Sequence, residues 1–243
     1  MTAGPPHRAP AQPDPGAISG TGTDSNWEKP DSVEKFAARE PDLRLLEILE
    51  KATDPAGFRV LDLGCAGGRN TAVLAARGFD FQALDGSRAM VDHTRRRVAS
   101  ILGWREAERR VRRGRMDDLG GFADSVFDLV IALGIFHCAS SHREWSLALD
   151  ESTRVIAPGG LLLVSIFTPE TDLHGTGVHE IPGEPHVYSG FSSGRTYLVD
   201  APTLDTELAT RALRPVIPSK TVRVELDKGR RVVVNALYEK PGE

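Results

Sequence analysis

Three glycines, Gly64, Gly67 and Gly68, follow the apolar run Phe58, Val60, Leu61 and Leu63 and precede a helical stretch from Asn70 to Arg77. A turn of this composition lets the backbone approach a ligand and adopt positive φ. The first amides of the following helix direct donors and a positive dipole end into the same crevice. A second apolar run, Phe79, Phe81, Ala83 and Leu84, ends on Asp85, about 20 positions on, where a carboxylate accepts hydrogen bonds from both hydroxyls of a ribose. Together these residues describe a site for a nucleoside-type cofactor. A different chemistry resides in His137, just past the apolar run FDLVIALG (Phe127 to Gly134). An imidazole with the ordinary pKa of about 6.5 suits a general base; a packed loop histidine is the alternative.

The elements that hold these groups follow from periodicity. Phe58–Leu63, Phe79–Leu84, a segment around Val111, Phe127–Gly134 and Leu161–Phe167 are short apolar runs, and helical patterns separate them: Asn70–Arg77, Ser87 to about Leu102 with Ser87 as N-cap, and His142–Ile156. Alternation of this kind implies an α/β fold with a mostly parallel sheet and right-handed crossovers, ligands sitting outside the carboxyl ends of the strands. Thr221–Leu226 and Arg231–Tyr238 alternate apolar and polar residues around Asp227, Lys228 and Gly229, the pattern of an antiparallel hairpin. Leu204–Leu213 reads as a helix. Between the fifth strand and that helix, residues 168–199 are rich in Gly, Pro and His with little periodicity, which predicts a functional lid. This segment carries His174, His179, His186, Tyr188, Phe191, Arg195 and Tyr197. Arg195 offers a partner for an anionic group, and the three histidines are potential metal ligands at a spacing that matches no established site.

With 243 residues the chain is long enough for one sizeable core. Residues 1–26 are rich in Pro, Gly, Ala, Ser and Thr and are expected to form a disordered tail, leaving 27–243 as the folded domain. Trp27 is the first large residue and reads as a helix anchor or as a flap over the ligand. The net charge of −4 is mild and argues against a protein devoted to a nucleic-acid backbone. Nine arginines between Arg95 and Arg115 form a local basic run, the solvated face of a helix or a patch for RNA. Two cysteines, Cys65 and Cys138, fit a reducing cytoplasm better than a disulfide scaffold. No apolar run reaches the roughly 18 residues of a membrane span.

From about residue 27 to 240 the chain resembles the class I S-adenosylmethionine-dependent methyltransferases. The resemblance rests on Asp62-Leu63-Gly64-Cys65-Ala66-Gly67-Gly68, on Asp85, on FDLVIALG, and on Arg154-Val155-Ile156-Ala157-Pro158-Gly159-Gly160 ahead of the fifth strand. It implies a Rossmann-like seven-stranded sheet with helices on both faces and a C-terminal antiparallel hairpin. Where the family usually has Gly, this chain has Ala66. Locally, GCAGGRNT and LAARGFDFQALDGS are similar to the small-molecule and tellurite-resistance-like branch.

Carried onto this chain, the resemblance implies that the backbone from Gly64 through Ala66 to Gly68 passes under the methionine part of S-adenosylmethionine. Asp62 is then expected at its ammonium group, Arg69 at its carboxylate, Asp85 at the ribose, and Gly86 and Ser87 beside the adenosine. Met116 and Asp117 are assigned to the adenine, and Leu133 to the pocket wall. His137 falls where the family places substrate-contacting groups, and Trp27, His186, Tyr188 and Arg195 are the expected substrate contacts. The expected reaction is in-line methyl transfer to an O, N, S or metalloid acceptor on a small molecule. Metal assistance is not expected, because the fourth strand ends Ala132-Leu133-Gly134 without the Asp of metal-dependent relatives. Competing readings are a nicotinamide-dependent dehydrogenase, disfavoured by Asp62 and the Pro-Gly-Gly; non-methyl chemistry on the same cofactor; and a regulator docking RNA or protein through Arg95–Arg115. Acceptor atom and oligomeric state stay open.

Overall fold

The computed structural model describes residues 26–242, so the expected tail at 1–26 lies, apart from Asn26, outside the described residues. The centre is a twisted sheet built from β1 (Arg59–Leu63), β2 (Asp80–Asp85), β3 (Val111–Arg113), β4 (Phe127–Leu133) and β5 (Ile156–Phe167), all parallel. Val60, Leu61, Leu129, Val130, Ile131 and Leu162 are fully buried. Such continuous apolar runs belong to strands covered on both faces. The faces are covered by α2 (Leu43–Leu49), α3 (Arg69–Ala76), α4 (Arg88–Leu102) and α5 (Trp104–Arg110) on one side, through Leu45, Leu74, Val91, Val98 and Ala107. On the other side lie α6 (His142–Val155) and α7 (Ala201–Ala209), through Trp145, Leu149, Leu204 and Leu208.

The strand order is β10-β11-β5-β4-β1-β2-β3, with β10 (Lys220–Leu226) and β11 (Gly229–Glu239) forming the expected hairpin and β11 antiparallel to β5. A two-residue strand, β9 (Arg214–Pro215), adds an eighth member beside β11. The chain leaves β1 toward β2 on one side and reaches β4 on the other, so a switch point opens at the carboxyl ends of β1 and β4. Ser87 caps α4 as expected, its hydroxyl accepting from Met90 N at 3.2 Å. Two local readings change. β5 begins at Ile156 rather than Leu161, with a register irregularity opposite Phe127 to Leu129 where Pro158-Gly159-Gly160 interrupts the pairing. Residues 168–199 contain a three-stranded antiparallel sheet, β6 (His179–Glu180), β7 (Val187–Phe191) and β8 (Gly194–Tyr197), rather than an unstructured loop.

The basic run is largely occupied in holding the fold. Arg95 Nε donates to Val111 O, Arg97 Nη1 to Ala37 O and Gly67 O, and Arg113 Nε to Gly86 O. Arg109 and Arg110 share Glu106, with Arg110 also on Asp80 at 2.9 Å. At the opposite end of the chain a 3-10 turn, Asn26–Glu28, leads into α1 (Pro30–Ala37). Among the described residues no helix is long and apolar enough to cross a membrane.

Candidate active site

The crevice is assembled from the carboxyl ends of β1, β2 and β4 and the start of the segment after β3. Gly64, with φ +77°, and Gly68, with φ +75°, adopt the left-handed conformation that glycine tolerates. A Cβ on Gly64 would stand 2.8 Å from Ile135, so the loop and the end of β4 meet with no room for a side chain. Ala66 takes the same left-handed region, φ +47°, without being glycine. This costs roughly 1–2 kcal/mol, of which the greater chain entropy of glycine offsets about half. Ala66→Gly is therefore expected to raise stability by about 1 kcal/mol, a gain of a few degrees in Tm; an unchanged or lower Tm would show that the loop bears no such strain.

Asp62 is buried at the end of β1, and its Oδ2 accepts from the Thr71 hydroxyl at 2.6 Å. Burial pushes its carboxyl up to about 6, against the opposing pull of Thr71 and Arg69. A cation placed beside it would restore the ionised form. Asp85 accepts from Ser87 N at 2.8 Å and from Ala66 N at 2.9 Å, one bond to each oxygen, and burial again raises its pKa. A carboxylate has about four acceptor positions, so both oxygens keep capacity for a pair of hydroxyls.

A cleft of about 120 Å³ joins Gly64, Asp85, Gly86, Met116 and Asp117, five of the expected residues, with Leu63, Leu84, Gly114, Arg115, Ile135, Cys138 and Glu144. Asp117 is paired to Arg115 through both oxygens at 2.8 Å each, and Arg115 reaches on to Glu144 at 3.0 Å. Glu144 was not foreseen, although Ser141-His142-Arg143-Glu144 carries the helix-capping signature of Ser followed three residues later by Glu. Its carboxylate accepts from Ser140 N and Ser140 Oγ, both at 2.8 Å. The cleft is smaller than usual ligand pockets. A larger cavity, about 380 Å³, lies among Arg59, Asp80, Gln82, Arg112, Phe122 and Phe127. Those residues open β1, β2 and β4 or neighbour their first positions, so it is at the amino ends of the strands, away from where ligands bind in such sheets.

The remaining expected residues divide into two groups. Arg69 Nη1 donates to Glu40 O at 2.8 Å, and the Trp27 carbonyl accepts from Ser87 Oγ at 3.0 Å while its ring meets Phe36 edge-on. Trp27 thus sits at the β2–α4 junction beside Ser87, not with residues 168–199. Glu28 follows it there, its carboxylate accepting from Arg88 N and Ala89 N at the start of α4. The residues of segment 168–199 form the second group. Arg195 is exposed and is engaged by Glu184 and by Ser140 O, so its charge is already paired by a carboxylate of the same segment. His186 N donates to Glu180, and its ring lies 5.6 Å from that of Tyr197. Tyr188 is half-buried on β7, whereas His174 and His179 are exposed. Among the described residues no three His, Cys, Asp or Glu side chains converge as metal ligands would.

His137 is buried on the 3-10 turn Phe136–Cys138 after β4, its ring stacked on Phe167 with centroids 4.2 Å apart and planes at 26°. Phe167 N donates to Nδ1 over a long 3.4 Å. A backbone N–H can only donate, so Nδ1 is the acceptor and the neutral ring carries its proton on Nε2. Burial holds the imidazole down to about 4. The ring expected as a base of ordinary pKa is thus neutral and a donor. Cys138 is pushed up to about 12 by burial, which keeps it a thiol at neutral pH.

The sheet order, the glycine loop, the buried Asp62 and the half-buried Asp85 are those of a class I S-adenosylmethionine-dependent methyltransferase. Residues 60–160 match the family described as methyltransferase domain. The chain is 26% identical over 178 residues to a ubiquinone biosynthesis O-methyltransferase of Rickettsia typhi, the match covering 68% of each chain. A demethylmenaquinone methyltransferase of Clavibacter sepedonicus is 36% identical over 122 residues, 49% of this chain and 45% of that one. Among solved structures, the 1,6-didemethyltoxoflavin-N1-methyltransferase of Burkholderia thailandensis, with its substrate and S-adenosylhomocysteine bound, superposes with a TM-score of 0.55. That likeness covers 89% of this chain and 81% of the other at 19% identity, and so speaks to the fold. The cofactor is S-adenosylmethionine, and the residues fit it: an acid at the end of β1 whose pKa is raised by burial, a second acid at the end of β2, and a loop with no room for a side chain at Gly64.

Proposed function

We propose that this methyltransferase acts on a small, flat, ring-bearing acceptor in the cytoplasm, through a single domain of residues 27–243 with 168–199 as its lid and without metal assistance. The observation that carries the acceptor class is a column of rings at the carboxyl ends of β4 and β5. His137 stacks on Phe167, and Phe167 lies 5.9 Å from Phe191 of the lid with planes at 16°. Parallel ring faces of this kind favour a planar guest. The two quinone-pathway relatives and the toxoflavin enzyme are named for ring-bearing substrates, which agrees with this reading over a metalloid acceptor.

The cofactor supplies a methyl group on a sulfonium, already activated for in-line displacement. Asp62 holds its ammonium end, Asp85 its ribose, and Met116 and Asp117 its adenine, with Arg115 fixing the Asp117 carboxylate. Gly86, Ser87 and Leu133 complete the wall, and Arg69 stands at the loop's exit. Desolvation and alignment then supply most of the acceleration, effects worth up to roughly 7–11 kcal/mol. His137 contacts the acceptor as a neutral donor through Nε2, and Tyr188 and His186 close the lid side. No nucleic-acid role is assigned to Arg95–Arg115, because most of those arginines bind the fold's own carbonyls and carboxylates.

Replacing His137 by Ala is expected to lower turnover roughly tenfold, the scale of one hydrogen bond, with little change in cofactor affinity. Because its proton affinity is held down to about 4, the ring itself gives no inflection in the rate between pH 5 and 8. A rate equal to the wild type's, or a wild-type inflection near 6.5 that His137→Ala abolishes, would contradict this role.

A further inference from the structure

The glycine loop is held from behind by one helix. Thr94 of α4 is fully buried, and its hydroxyl donates to Ala66 O at 2.6 Å. One turn on, Arg97 Nη1 donates to Gly67 O at 3.0 Å and to Ala37 O at 3.1 Å. His93 Nδ1 lies 3.2 Å from the same Gly67 O, and because a carbonyl cannot donate, the ring carries its proton there. Three side chains thus fix two consecutive carbonyls of the loop, Ala66 O and Gly67 O, against α4.

The consequence lies in the planarity of the peptide unit, whose C=O and following N–H point in opposite directions. With Ala66 O drawn to Thr94, the Gly67 N–H is turned away from α4, and it meets no acceptor among the described residues. The arrangement leaves little freedom on either side. A Cβ on Gly67 would lie 2.7 Å from the Ala37 backbone, and one on Gly68 would lie 2.8 Å from Thr94 Oγ1. Between them Ala66 is held at φ +47°, a conformation that persists only where the surroundings over-determine it.

We propose that Thr94 and Arg97 are positioning residues for cofactor binding: by holding the Ala66 and Gly67 carbonyls against α4 they keep the glycine loop in the conformation that receives the methyl donor. The role rests on the reading of this crevice as the S-adenosylmethionine site. Both residues act on the loop from α4, so their loss is expected to lower cofactor affinity and leave acceptor recognition alone. Thr94→Val keeps the shape of the side chain and removes the donor, leaving a buried carbonyl unsatisfied.

The test is S-adenosylmethionine titration by calorimetry together with steady-state kinetics. Thr94→Val is expected to raise Kd and KM for the cofactor about tenfold, with less than a twofold change in the acceptor KM, and Thr94→Ser, which restores the hydroxyl, is expected to bind like the wild type. Arg97→Met, at a half-buried surface position, is expected to raise the cofactor Kd severalfold, and it carries the test alone if Thr94→Val does not fold. Wild-type cofactor affinity in the folded variants overturns the positioning role; so does a Thr94→Ser as weak as Thr94→Val. Failure of the wild-type protein itself to bind S-adenosylmethionine would instead overturn the assignment of the crevice.

Discussion

An Asp85→Ala variant is expected to bind S-adenosylmethionine at least about a hundredfold more weakly than the wild type, measured by titration calorimetry. The carboxylate stands at the end of β2 with one acceptor position on each oxygen taken by Ser87 N and Ala66 N. On the proposed reading its remaining positions receive the two hydroxyls of the cofactor's ribose, and each hydrogen bond to a charged group is worth about 1.5–3 kcal/mol. Losing both accounts for two orders of magnitude or more, and the loop loses its tether at Ala66 as well. Asp85→Asn, which keeps an acceptor oxygen, is expected to fall between. Affinity unchanged in Asp85→Ala would remove the ribose assignment.

The second large effect is a pH dependence set by Asp62. In the free protein burial holds its carboxyl at about 6, whereas binding of an ammonium group requires and stabilises the carboxylate. Below pH 6 a proton must leave before the cofactor binds, so affinity is expected to fall by about tenfold between pH 7 and pH 5, with proton release detectable from the buffer dependence of the binding enthalpy. The sign for stability is the reverse. A carboxyl whose folded pKa lies above its unfolded value near 3.8 stabilises the fold below about pH 4, and that contribution is lost as pH rises through 6. The cofactor-free protein therefore carries a penalty of about 3 kcal/mol at pH 7 from this group. Asp62→Asn, which keeps an acceptor for Thr71, is expected to raise the Tm of the free protein at pH 7 while weakening cofactor binding and flattening its pH profile. A variant that lowers Tm and leaves the profile unchanged would contradict the assignment.

The crevice proposed for the cofactor was legible because its signals are local. An apolar strand, a glycine turn, a helix and an acid at the end of the next strand lie in one continuous stretch, and the structure places Gly64, Asp85, Gly86, Met116 and Asp117 around one cleft. The acceptor half depends on contacts that no local pattern carries. His137 has the residue type of a base, but burial keeps it neutral and Phe167, thirty residues on, covers one face and sets the tautomer by donating to Nδ1. Arg195 reads as a free cation until Glu184 and Ser140 meet it across the lid. The lid sheet escaped notice because its strands are two to five residues long and include Gly190 and Gly194, too short for alternation to register. In the basic run, charge density suggested a surface patch, whereas hydrogen bonds from the Arg95, Arg97 and Arg113 guanidinium groups to Val111 O, Gly67 O and Gly86 O make much of it scaffold.

The most direct test of the account is release of S-adenosylhomocysteine by the purified protein, supplied with S-adenosylmethionine and a panel of small acceptors. The panel pairs ring hydroxyls, ring amines and reduced quinones with aliphatic alcohols, amines, thiols and metalloid oxyanions of similar size. The account predicts turnover on ring-bearing acceptors that is lost in Asp85→Ala and reduced in His137→Ala. Turnover confined to aliphatic or metalloid acceptors, or cofactor binding with no transfer to any ring-bearing member, would contradict it.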